Sequence, residues 1–71
     1  MHKKIFLLDK CLYREDIISS LSENDLEERC LDEDDYSIIK IDASKYNCVE
    51  EALKEELILF PEDYYIFTFG F

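Results

Sequence analysis

Lys4-Ile5-Phe6-Leu7-Leu8-Asp9 decides the fold of this chain. Four large apolar residues stand in a row, closed by a charge at each end. A strand covered on one face alternates apolar and polar residues; a strand covered on both is apolar throughout. Lys3 to Leu8 therefore reads as a strand in the middle of a sheet.

Working outward, Arg14 onward turns helical, with Ile17, Ile18 and Leu21 on one face and Glu15 and Asp16 at the favoured end. That stripe stops near Ser22. Ser22-Glu23-Asn24-Asp25 is itself a helix start, a capping hydroxyl followed by acids, so the first helical region is expected to break there. Its second segment, Glu23 to Leu31, would bury Leu26 and Cys30. Tyr36 to Ile41 reads as a strand from its β-branched and aromatic bulk. Asn47 and Glu50 have capping-box spacing ahead of a helix whose apolar stripe is Val49, Ala52, Leu53 and Leu57. Glu50, Glu51, Lys54 and Glu55 would face out. Pro61 and Glu62-Asp63 make a turn, and Tyr64 to Phe69 is a last strand. Tyr65, Phe67 and Phe69 would line one of its faces and Tyr64, Ile66 and Thr68 the other.

The fold expected is one small α/β domain, residues 1–71, a β-α-β-α-β sandwich with a three-stranded sheet. A central first strand gives the order 2-1-3 with a helix on each face, and parallel neighbours would need right-handed crossovers. The alternative puts both helices on one face and leaves the other bare. A domain of this size hides only about 60% of the surface its unfolded chain exposes, so its stability is modest.

Charge narrows the function. There are 18 acidic residues against 8 basic ones, a net charge of -10. Between Glu15 and Asp35 stand ten carboxylates and one base, Arg29. Such a surface opposes anionic membranes and direct nucleic-acid binding, both of which need Lys and Arg. The apolar runs are too short to span a bilayer, and Ile5–Leu8 is too short for a secretion signal. Cys11, Cys30 and Cys48 form no close pair and no disulfide framework, which fits reduced thiols in a cytoplasm.

The residues offer little chemistry. Asp9 reads as a turn cap. Asp32-Glu33-Asp34-Asp35 resembles a cation loop only in composition: an EF-hand register from Asp32 needs Gly and Glu where Ser37 and Ala43 stand. His2 alone supplies neither a zinc site nor a nucleophile's base. No cofactor is expected. Cys48, just after Asn47, is the one candidate for thiol chemistry, with Glu50 and Glu51 opposing its thiolate.

The expected function is therefore non-enzymatic: an acidic protein-interaction module that docks to a basic protein surface. Glu23, Asp25, Glu27, Glu28, Asp32, Glu33, Asp34 and Asp35 would steer the encounter. Two alternatives are a nucleic-acid mimic that inhibits a DNA-binding defence protein, and a thiol-dependent activity through Cys48. The aromatic residues Tyr64, Tyr65, Phe69 and Phe71 suggest self-association, with the last strand pairing to a second copy.

Overall fold

The computed structural model describes residues 2–30 and 38–71. Its elements run β1 (Lys4–Asp9), α1 (Glu15–Ile18), α2 (Glu23–Cys30), β2 (Ile38–Asp42), α3 (Val49–Glu55), a 3-10 turn (Pro61–Asp63) and β3 (Tyr64–Phe69). The strand order is β2-β1-β3, with the apolar run in the middle. Ile5, Phe6, Leu7 and Leu8 are all fully buried, each side chain contributing about 1.5–3 kcal/mol by leaving water.

Strand periodicity divides these four between two cores. Ile5 and Leu7 join Ile41, Ala43, Tyr46, Ala52 and Leu53 under α3. Phe6 and Leu8 join Ile18, Leu26 and Ile38 under α1 and α2. The Phe6 ring meets the Phe69 ring edge to face, centroids 5.8 Å apart. A helical region thus lies on each face, as the strand order requires.

Strand direction departs from the crossover geometry. Both pairs are antiparallel, with Leu8 opposite Ile38 and Asp9 opposite Tyr64. After α1 and α2 the chain re-enters the sheet at the end of β1 that it left. β2 and β3, both antiparallel to β1, therefore run parallel to each other on its two sides, and the connection through α3 makes that return.

The break is built as the sequence suggests. The Asp25 amide donates to the Ser22 hydroxyl oxygen at 3.2 Å, and the Ser22 amide donates to the Asp25 carboxylate at 2.9 Å. This is a reciprocal capping box with Asp in the usual Glu position. Asp9 caps its turn, accepting from the Cys11 amide at 2.8 Å.

Two apolar assignments differ. Ile17 is exposed while Ile18 is buried and Leu21 half-buried, because a four-residue helix presents less than two turns to the core. Leu57 lies beyond α3, in the left-handed region at φ 59° and 78% exposed. It closes a helix-ending motif: the Ile58 amide donates to the Leu53 carbonyl at 2.9 Å and the Leu57 amide to the Lys54 carbonyl at 3.2 Å. Glycine is the usual residue at that position. A left-handed non-glycine residue costs about 1–2 kcal/mol, part of which glycine returns through unfolded-state entropy. Leu57→Gly is therefore expected to stabilise the domain by about 0.5–1 kcal/mol, read as a rise of a few degrees in melting temperature.

Candidate functional site

The acidic residues expected to steer a partner divide into four groups. Asp32, Glu33, Asp34 and Asp35 lie outside the described residues. Glu23 and Glu27 turn inward over the sheet: Lys4 donates to Glu23 at 2.9 Å and to Glu27 at 3.0 Å, and Lys40 donates to Glu27 at 2.8 Å. Lys4 and Lys40 share the α2 face of the sheet because Phe6, opposite Lys40, lies two positions beyond Lys4. Asp25 is engaged in the Ser22 cap. On α2, Glu28 keeps its carboxylate exposed. The row of outward carboxylates that a nucleic-acid mimic needs is shortened accordingly.

These contacts set the charge states. Lys40 first, then Lys4, hold Glu27 below the ordinary carboxylate range. The hydrogen bonds it donates to Glu23 and then Glu27 raise Lys4 above the ordinary lysine value. The Ser22 amide and then its hydroxyl hold Asp25 low. A carboxylate depressed in the folded state contributes stability above its unfolded pKa and loses it as pH falls through the folded value. Glu27→Gln should therefore cost about 1 kcal/mol at neutral pH, the scale of partly exposed ion pairs. That difference should vanish in urea titrations carried out well below about pH 4, where both states are protonated.

A second acidic group flanks the segment after α3 in sequence. Glu50, Glu51, Glu55, Glu56, Glu62 and Asp63 are exposed along α3 and the 3-10 turn, with Lys54 among them. Between these acids in sequence stand three apolar side chains on the surface: Leu57, Leu59 at 76% exposure and Phe60 at 60%. Leu53, Leu57, Ile58, Leu59 and Pro61 line a groove of about 390 Å³, with Glu50 and Lys54 at its edge. Ile58 at the groove floor is half-buried and also packs against the core. Composition hid this patch, because Leu57–Phe60 reads as an ordinary apolar run until α3 ends and leaves Leu57, Leu59 and Phe60 facing outward.

Four other lysines are held over aromatic rings. Lys3 lies over Phe71, Lys10 over Tyr65, Lys40 over Phe6 and Lys45 over Tyr46, each 5.3–5.9 Å from the ring centroid. Such cation–π contacts contribute about 0.5–1 kcal/mol when exposed. Carboxylate repulsion is thus relieved at only a few places, and moderate salt should raise the melting temperature in a thermal scan. A fall would mean that paired charges dominate.

Cys48 is exposed and is the N-cap residue of α3 rather than a first-turn residue. The expected Asn47–Glu50 box is displaced by one position: Glu51 accepts from the Asn47 amide at 3.2 Å. Cys11 is exposed and Cys30 half-buried against the α2 core. His2 lies beside Lys4, Lys40 and Asp42. Among the described residues no group of three His, Cys, Asp or Glu side chains could hold a metal ion. Among them, too, no helix is long and apolar enough to cross a membrane.

The self-association residues are placed unevenly. Tyr64 packs on the α3 core, Tyr65 and Phe69 on the α2 core, and Phe71 is half exposed beneath Lys3. Compared with protein-family models, curated proteins and solved structures, the chain matches none.

Proposed function

We propose that this chain is a non-enzymatic binding module that docks to a basic protein surface. One observation carries the reading: Leu57, Leu59 and Phe60 stand exposed on a segment that exposed acids of α3 and the 3-10 turn flank in sequence. Apolar side chains supply affinity by leaving water, and the surrounding charge selects and steers the partner. Keeping Leu57 in a left-handed conformation that glycine would adopt more easily supports the same reading, since strain persists where a site uses it. Glu28 and the acids of Asp32–Asp35 add to the long-range field of a chain with net charge -10. The fitting partner presents Lys or Arg around one or two apolar anchors.

Affinity capture from the native host, repeated over a salt series, tests this. A genuine partner is lost steeply as salt rises and is no longer retained by Leu57→Ser/Leu59→Ser. Leu57→Gly makes the sharper variant, because it should raise the melting temperature while weakening retention. Partners held equally well by all variants and at all salt concentrations would sink the proposal.

A further inference from the structure

The two faces of the sheet are held down by different means. Among the described residues, the α3 core and the α2 core share no side chain. On the α3 face the polar ties need no ionised carboxylate. Lys3 donates to the Tyr46 carbonyl at 2.9 Å, and the Ala43 amide donates to the Lys3 carbonyl at 2.9 Å. The Tyr46 hydroxyl donates to Glu56 at 2.9 Å, and a carboxyl oxygen accepts in either charge state. Ala52 and Leu53 of α3 are both buried.

The α2 face is held by charge. Leu26 is the one buried residue of α2. Glu23 and Glu27 tie the helix to Lys4 of β1 and Lys40 of β2, in contacts of 2.8–3.0 Å. The Ser22–Asp25 cap is internal to the segment and adds no tie to the sheet. An eight-residue helix does not hold itself once detached.

We propose that α2 is an acid-releasable cover: protonation of Glu23 and Glu27 lets it leave the sheet and uncover Phe6, Leu8 and Ile38, while α3 and the three strands stay folded. The groups that face Glu27 set the direction. Lys4 and Lys40 reach it from β1 and β2, and Glu23 of the same helix shares Lys4 with it. His2 and Asp42 border the same two lysines. Elsewhere on α2, Asp25 is engaged in the cap, and Glu28 and Arg29 are exposed. β3 and α1 line the same core without bringing charge into it: β3 has none, and Glu15 and Asp16 of α1 are exposed. Neutral Glu23 and Glu27 leave two ammonium groups under the helix with no counter-charge from it. Glu27 ionises below the ordinary carboxylate range, so its contribution is complete at neutral pH and is lost as pH falls through that lowered value. Net charge crosses zero at about pH 4.3, so general repulsion is weak near this range. The inference concerns α2 and does not rest on the docking role of the segment after α3.

The test is amide exchange of the full chain, followed by residue from neutral pH to about pH 3 and corrected for the intrinsic rate at each pH. Protection along α2 should fall about tenfold or more while that of β1 and α3 holds. A dye that binds exposed apolar surface should brighten over the same range. Glu23→Gln/Glu27→Gln should already show the open α2 at neutral pH. Should that variant lose the native circular dichroism, Lys40→Met answers through the midpoint. With one of its two lysines gone, Glu27 takes its proton at higher pH, and α2 should open at higher pH too. An α2 that stays protected in acid overturns the proposal. So does loss of protection along α2 and α3 together, or a folded double variant with α2 closed, or a midpoint that Lys40→Met leaves unmoved.

Discussion

Phe6→Ala is expected to remove about 3–5 kcal/mol of stability, the largest loss among single substitutions discussed for this chain. A domain of this length has about 4–10 kcal/mol in total, so the variant should be largely unfolded in modest urea. The reason lies in position as well as size. Phe6 is fully buried on the middle strand and touches elements from both ends of the chain. It meets Phe69 of β3 edge to face, and Lys40 of β2 lies over its other side at 5.9 Å. Truncation leaves a cavity bordered by both neighbouring strands, which cannot collapse without breaking register. Urea unfolding followed by circular dichroism measures the effect. Phe60→Ala, on the surface, is the control and should change stability by no more than about 0.5 kcal/mol. Equal effects of the two would contradict the division between core and surface described above.

Leu26→Ala should cost about 2–5 kcal/mol and act mostly on one element. The eight residues of α2 are strongly polar, and Leu26 is the only one of them that is buried. An isolated helix of this length does not hold itself in water. Tertiary burial of Leu26 therefore keeps α2 in place, together with the ion pairs from Glu23 and Glu27 to Lys4 and Lys40. Removing the anchor should release those pairs as well. Two measurements separate this from a general loss of stability. Amide exchange should quicken first along α2, and Glu27→Gln should add almost nothing to Leu26→Ala. Full additivity of the two substitutions would mean that the helix stays docked without its leucine.

How far the sequence led depends on the range of each interaction. The apolar run Ile5–Leu8 showed a strand covered on both faces, and alternation in Tyr64–Phe69 assigned its two sides, because both patterns are local consequences of the pleat. Ser22 and Asp25 revealed the helix break three residues apart in sequence. Strand direction was not legible, since a continuous apolar run such as Ile5–Leu8 shows coverage on both faces and fits parallel or antiparallel neighbours alike. The inward turn of Glu23 and Glu27 was also hidden. It depends on Lys4 and Lys40 arriving side by side from strands far apart in the chain. A run of acids looks the same whether it faces water or lysine. Leu57 was misassigned for a related reason: the apolar stripe continued one turn past the point where the backbone leaves the helix.

The central place of β1 has a consequence for the order of assembly. β1 is made before every other element described and β3 after them, yet Lys4 pairs with Phe69 and Phe6 with Phe67. A growing chain can form the β1–β2 pair early, but one edge of β1 stays open until β3 emerges. Closing a loop that spans nearly the whole described sequence is slow, because chain entropy is lost before the contacts that repay it form. Refolding is therefore expected to be limited by the meeting of these two strands rather than by the helices. During synthesis, the most hydrophobic segment of the protein would wait longest for its last neighbour.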